Sequence, residues 1–218
     1  MKKKAVIFDL DGTLIDSIMD IAISTNQVLK DLGYQEHPLD AYEKFVGDGA
    51  FVLIKNALPK DTSDEILQKG LILFKKYYGD RIHKNTHPYD GIYEMLDSLK
   101  QTPLILCVLS NKPHIFTVEF IEHFFHNYPF IEVHGQKEEV PKKPDPIAAI
   151  QIAQSFETPC EEVYFVGDTM VDMQTAVNAR MIGIGVLWGF RDEEELLSNG
   201  ATFVVKHPLD ILKIIDKK

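Results

Sequence analysis

Ala5-Val6-Ile7-Phe8-Asp9-Leu10-Asp11-Gly12-Thr13 is a short apolar run that ends in two carboxylates separated by one residue, with a glycine behind them. The run reads as a buried β-strand opening into a loop. Alternation along an extended chain sends residues i and i+2 to the same side, so Asp9 and Asp11 face one reaction centre. Gly12 gives the backbone freedom immediately after them, and Asp16-Ser17 supplies the capping chemistry of a following helix. Such a pair suits one carboxylate attacking an electrophile while the other exchanges protons. An edge strand ending in a polar turn would give the same pentapeptide, so the choice rests on what lies downstream.

The carboxy-terminal half alternates strand and helix patterns, as parallel βα units do. Leu104 to Leu109 is almost wholly apolar, which suits a strand covered on both faces. The pattern predicts a helix from near Pro113 through Phe124. A second is expected with Asp145 as N-cap and Pro146 at its first position, running to about Ser155. Val163 to Val166 is the next strand, and Met170, Met173, Ala176 and Val177 form the apolar stripe of the helix behind it. Residues 182–187 and 201–205 complete the strand candidates, and a last helix opens at Pro208. Between residues 16 and 87 the pattern is helical only. Ile18, Ile21, Ala22, Thr25, Val28, Leu29 and Leu32 make a broad apolar face that Gly33 ends. Further helices are expected near Asp40 to Phe45, over Gly49 to Leu58, and from a cap around Asp61 to Asp64 as far as Tyr78.

The chain has 218 residues, enough for one domain with a sizeable insertion. With 45% hydrophobic and 26% charged residues its composition is that of an ordinary globular protein. A net charge of −10 without a basic patch argues against a nucleic-acid partner. Lys2-Lys3-Lys4 reads as a solvated chain end, and Asp9 and Asp11 interrupt the apolar segment too early for a signal peptide. No apolar run approaches the ~20 residues of a membrane span. Cys107 and Cys160 show neither metal spacing nor a disulfide framework, and the eight histidines show no ligand spacing. The expectation is a cytoplasmic protein with no nucleic-acid or membrane partner, either a monomer or a homodimer.

Four segments, in order, resemble the motifs of the haloacid dehalogenase superfamily, phosphatase branch. Asp9 to Ser17 is similar to the first, and the apolar strand ending in Ser110-Asn111-Lys112 to the second. Lys143-Pro144-Asp145-Pro146 is similar to the third, and Val163 to Asp172, with its paired acids, to the fourth. The resemblance covers nearly the whole chain. It implies an α/β protein: a Rossmann-like parallel-sheet core from residues 1–15 and 88–218, with an inserted all-helical cap domain at 16–87. Such a cap would fold over the carboxyl ends of the strands, hinged near Leu14 to Ser17 and Arg81 to Tyr89.

The same resemblance implies a Mg²⁺-dependent phosphomonoester hydrolase working through an aspartyl-phosphate. Asp9 would be the nucleophile, while Asp11 would protonate the leaving oxygen and then activate water. Ser110 would donate to a phosphoryl oxygen, Asn111 would add a further donor, and Lys143 would balance the charge of Asp9 and the phosphoryl group. Lys142 competes for that role, but Lys143 directly precedes the Pro-x-Pro. Mg²⁺ would be held by Asp9, Asp168 and the backbone carbonyl of Asp11, with Asp172 orienting a metal water or Lys143. Helix capping is the plainer account of Asp168 and Asp172.

For the substrate, Phe45 to Ile54 is similar to the cap segment of phosphoglycolate phosphatases, and Trp188-Gly189-Phe190 also resembles that branch. Gly47 and Gly49 can expose backbone amides to a substrate carboxylate, with Lys44 and Lys55 as the nearest cations. Asp48 is an awkward neighbour for so anionic a ligand. The small phosphorylated metabolite this implies is 2-phosphoglycolate, hydrolysed to glycolate and phosphate. Pyrophosphate, nucleotide or sugar-phosphate hydrolysis is the alternative within the family. A silent regulatory binding protein is the remote one, opposed by the intact Asp9, Asp11 and Asp168. Asp11 also argues against a dehalogenase, and the absence of a histidine in Ser17 to Ile21 against a β-phosphoglucomutase-type mutase.

Overall fold

Along the chain, β1 (Ala5–Phe8) and β2 (Ile15–Asp16) are followed by α1 (Ile18–Asp31), α2 (Leu39–Phe45), α3 (Ala50–Ala57) and α4 (Asp64–Gly79). Then come β3 (His87–Pro88), α5 (Ile92–Leu99), β4 (Ile105–Pro113), α6 (His114–Phe125), β5 (Phe130–Gln136) and α7 (Ile147–Ser155). The chain ends with β6 (Val163–Gly167), α8 (Met170–Asn178), β7 (Ile182–Val186), α9 (Glu193–Ser198), β8 (Phe203–Val205) and α10 (Asp210–Ile215). This computed structural model describes residues 5–215, so the Lys2 to Lys4 cluster lies outside the described residues. The chain divides into two compact units, Met1–Ile15 with Pro88–Lys218, and Asp16–His87.

The first unit is built on a six-stranded parallel sheet in the order β5-β4-β1-β6-β7-β8. All four β1 residues are buried, as a central strand covered on both faces requires. Ala5 and Ile7 join Cys107, Leu109, Val163 and Phe165 in one apolar layer with Ala149, Ile152 and Ala153 of α7 and Ala176 of α8. The strand order turns back at β1: the chain first builds outward through β4 and β5, then returns to β6 on the other side. That reversal opens a crevice at the carboxyl end of β1, the usual ligand position of open α/β sheets.

Several expectations are corrected. Ser110, Asn111 and Lys112 belong to β4, which runs past Leu109 to Pro113. The inward face of α8 is Val171, Asp172, Met173, Thr175 and Ala176, whereas Met170 and Val177 are exposed. Apolar spacing misplaced that face because a buried carboxylate, Asp172, sits at its centre. α7 starts at Ile147, one residue late, since Pro146 is its N-cap and the Asp145 carboxylate accepts from the Ile147 N–H at 2.9 Å. α10 begins at Asp210, not at Pro208. Strand β5 and helices α5 and α9 were not anticipated.

The second unit holds α1 to α4. α1 ends in a Schellman motif at Gly33 (φ 79°), where the Gly33 and Tyr34 N–H groups donate to the Lys30 and Leu29 carbonyls. α4 is capped by Ser63, whose hydroxyl oxygen accepts from the Ile66 N–H. Gly70 lets α4 lie close to α3, since a Cβ there would meet Ile54 Cγ2 at 2.9 Å. Buried in this unit is Asp20, on α1. Its carboxylate accepts the Asn85 N–H and side-chain amide at 2.8 Å and the Thr86 N–H and hydroxyl at 2.9 Å. Burial alone would raise the Asp20 pKa, but these hydrogen bonds outweigh it and hold the carboxyl below its ordinary value.

Candidate active site

Strand register explains why distant residues meet. Phe8 of β1 lies level with Val108 of β4 on one side and Val166 of β6 on the other. Asp9 continues the ladder, its N–H donating to the Val166 carbonyl at 2.8 Å. Two residues beyond Val108 comes Ser110, and two beyond Val166 comes Asp168. The carboxyl-terminal parts of three adjacent strands therefore deliver a carboxylate, a hydroxyl and a second carboxylate to one place.

Lys143 closes the cluster. Its buried ammonium donates to Asp9 Oδ1 at 2.8 Å and Asp172 Oδ1 at 2.6 Å. The loop carrying it is held by Asn111, whose amide donates to the Lys143 carbonyl at 3.0 Å and accepts from its N–H at 2.9 Å. Asn111 thus places Lys143 through both ends of its side-chain amide. Asp172 combines two parts: Oδ1 orients Lys143, while Oδ2 accepts from the Thr169 N–H at 3.0 Å and hydroxyl at 2.8 Å at the start of α8.

Asp168 is braced by residues whose part the sequence did not reveal. Thr13 Oγ1 donates to its Oδ1 at 3.2 Å and the Phe190 N–H to its Oδ2 at 2.9 Å. The Trp188 indole N–H donates to the Thr13 carbonyl at 2.9 Å. Gly12 (φ 83°) and Gly189 let these loops touch. A Cβ on Gly12 would fall 2.2 Å from Asp168 Oδ2, and one on Gly189 2.3 Å from the Gly12 carbonyl. Asp11 is held by a different lysine. Its two carboxylate oxygens accept from Lys112 Nζ at 2.9 and 3.0 Å. Lys112 is the main omission of the sequence reading, although its i+2 relation to Ser110 along a strand would have aimed it at the same face. Ser110 Oγ accepts from the Lys112 N–H at 3.2 Å, which leaves the hydroxyl proton for an acceptor in the crevice.

The electrostatics follow from this crowding. Burial, opposed by Lys143 and reinforced by Asp172 and Asp11, pushes Asp9 up to about 7. Burial, with Asp172 and Asp9 nearby, holds Asp168 well above its ordinary value. Burial disfavours the Lys143 ammonium, yet Asp172 and Asp9 outweigh it and its pKa rises. Carboxylate oxygens of Asp9, Asp168 and Asp172 all lie within 4.8 Å of one another. Three carboxyl groups, Asp9, Asp168 and Asp172, crowd round the one ammonium of Lys143, so the cluster is short of positive charge. Hard oxygen donors, a charge deficit and glycines that keep Cβ atoms away from Asp168 all suit Mg²⁺.

In the helical unit, Gly47 (φ 115°) and Gly49 (φ 86°) shape the turn between α2 and α3, with Gly49 as the α3 N-cap. Lys44 is exposed in the last turn of α2. Lys55 is exposed in the last turn of α3, so its backbone lies about 9 Å along the helix from the glycine turn. Among the described residues no helix is long and apolar enough to cross a membrane.

Comparison with known proteins adds the following. A family model described as haloacid dehalogenase-like hydrolase matches residues 6–186. A phosphoglycolate phosphatase of Vibrio parahaemolyticus is 32% identical over 97% of this chain and 96% of its own length. Another, from Nitrosospira multiformis, is 30% identical over 98% and 96%. A Haemophilus somnus crystal structure, described as a predicted phosphoglycolate phosphatase, superposes with a TM-score of 0.91 at 27% identity, covering 98% of each chain.

Proposed function

The chain belongs to the haloacid dehalogenase-like hydrolases, and from there we propose that it is a Mg²⁺-dependent phosphatase converting 2-phosphoglycolate to glycolate and phosphate. The observation that carries the chemistry is Asp9, buried beside Asp168 and held by Lys143 at 2.8 Å. The substrate rests on the relatives that carry that activity in their names over nearly the full chain.

Asp9 attacks phosphorus in line; its oxygen–phosphorus bond forms as the ester oxygen–phosphorus bond breaks. Asp11 gives its proton to the departing glycolate oxygen. It then takes a proton from water, whose oxygen attacks the aspartyl-phosphate; phosphate leaves and the Asp9 carboxylate is restored. Ser110 donates to a phosphoryl oxygen, and Lys143 offsets charge on Asp9 and the phosphoryl group through both steps. Asp172 keeps Lys143 in place. Asp9, Asp168 and the Asp11 carbonyl would hold Mg²⁺, which supplies positive charge opposite the transferring group.

The test is phosphate release with and without Mg²⁺, compared as kcat/KM for 2-phosphoglycolate, pyrophosphate, nucleotide monophosphates and small sugar phosphates. The expected result is Mg²⁺-dependent release with a clear preference for 2-phosphoglycolate. Preference for another ester would discard the substrate and keep the mechanism.

A further inference from the structure

Two buried lysines serve the acids of this site, and the mechanism above uses one of them. Lys112 is the other. Its side chain is 4% exposed, and its ammonium donates to both oxygens of Asp11. An ammonium so enclosed is costly unless its donors are satisfied and its position fixed. The surrounding fold does fix it. The Phe120 ring centroid lies 4.8 Å from Nζ, the Lys112 N–H donates to Ser110 Oγ, and the Lys112 carbonyl accepts from Thr117 Oγ1 at 3.2 Å. Gly135 of the neighbouring strand approaches so closely that a Cβ there would meet Thr117 Oγ1 at 2.3 Å and the Lys112 carbonyl at 2.7 Å. The β4–β5 register also slips between Leu109 and Pro113, and irregularities of this kind re-aim a side chain at the end of a strand. β4, α6 and β5 thus converge on a lysine whose ammonium is joined to both oxygens of Asp11.

We infer that Lys112 is the positioning residue for Asp11, fixing where its carboxyl points as the proton moves. Lys112 donates to both oxygens of the Asp11 carboxylate; when one of them is protonated it keeps the other, and the O–H turns to the leaving ester oxygen. The same hold aims Asp11 at the water that later returns a proton to it. The inference rests on the aspartyl-phosphate reading and adds to it a residue that acts through Asp11.

The leaving group provides the test. An alkyl ester such as 2-phosphoglycolate needs a proton on its departing oxygen; p-nitrophenyl phosphate does not, because nitrophenolate is stable. The parameter is kcat/KM, which covers steps only through the first irreversible one, phosphoryl transfer. For Lys112→Met the expected loss is about 100-fold or more with the alkyl ester and below about 5-fold with the aryl ester. Lys112→Arg, which can bind both Asp11 oxygens, should recover part of the alkyl activity. Asp11→Asn should show the same selectivity, and the double variant should lose little more than Asp11→Asn alone. Equal losses on both esters, or none, would overturn the inference, and so would additive losses in the double variant. Were Lys112→Met not to fold, Lys112→Arg and Lys112→Gln would be read on the same pair of esters. Failure of the underlying reading is distinguishable: the wild type would release no phosphate, or Asp9→Asn would turn over normally.

Discussion

Asp9 and Asp20 are both buried aspartates, yet their surroundings drive them in opposite directions. Asp20, in the helical unit, receives four hydrogen bonds from Asn85 and Thr86, and its carboxyl is held below the ordinary value. Asp9, in the sheet unit, shares one lysine with Asp172, has Asp168 as neighbour, and is pushed up to about 7. The burial penalty is common to both, so partners decide the outcome. Asp20 ties the α1 end of its unit to the segment before β3 and stabilises that unit. Asp9 and Asp168 are like charges held together against their own preference, an arrangement that serves chemistry at a cost in stability. One site is saturated with donors; the other is short of positive charge.

The largest expected effect breaks the second half of that contrast. Asp9→Asn removes the proposed nucleophile and should lower kcat for phosphate release by about 10⁴-fold or more. Its stability should move the other way. Because the native pKa of Asp9 is raised, ionising it weakens the metal-free fold as pH climbs from about 4 toward 7. In chelator, the melting temperature of Asp9→Asn should therefore gain on that of the wild type between pH 5 and pH 8. A variant that melts lower at pH 8 would show Asp9 to be a stabilising residue like Asp20.

Asp20→Ala should do the converse. It leaves the Asn85 and Thr86 donors buried without their acceptor, a loss of about 2–4 kcal/mol by chemical denaturation. The contribution of Asp20 is complete above the unfolded value of about 3.9 and fades as pH falls through the lower native one. The gap between wild type and variant should therefore narrow in acid. A gap that widens on acidification would refute the donor-saturated account.

Magnesium sharpens the comparison further. Protons on Asp9 and Asp168 compete with a cation, so the melting-temperature rise given by Mg²⁺ should be larger at pH 8 than at pH 5. The rise should vanish in Asp168→Ala but persist in Asp20→Ala. An equal rise at both pH values would place the bound ion away from these acids.

How far these two settings could be read from sequence differs for physical reasons. The strand-then-acid pattern at Phe8-Asp9 carries the parallel core because a short apolar run ending in polar residues is a local signal. Helices α1 to α4 were legible from apolar spacing and from stop signals such as Gly33. Strand β5 was not, because Phe130–Gln136 mixes polar and apolar residues at a sheet edge and is only partly buried. Lys112 lay inside a quoted motif, but its partner Asp11 is 101 residues away and no local period encodes that distance. The bracing of Asp168 by Thr13 and Phe190 was hidden for the same reason. Asp20 is buried beside the apolar stripe of α1, where periodicity has no place for a charge. What is lost in each case is the long-range pairing of polar groups.

The smallest expected effect separates two lysines of the helical unit. Lys44 lies three positions before Gly47, whereas Lys55 stands a helix away from it on α3. If the glycine turn receives the substrate's carboxylate, Lys44→Ala should raise KM for 2-phosphoglycolate about 10-fold, equivalent to ~1.4 kcal/mol. Lys55→Ala should change it by less than about 2-fold, as exposed charges contribute little at such distances. Neither variant should alter kcat, since in the proposed mechanism Asp9, Asp11 and Lys143 serve the reacting atoms. A phosphate ester without a carboxylate provides the internal control, because Lys44→Ala should leave its KM unchanged. An equal rise for both esters would mean that Lys44 responds to the phosphoryl charge and that the glycine turn does not read the carboxylate.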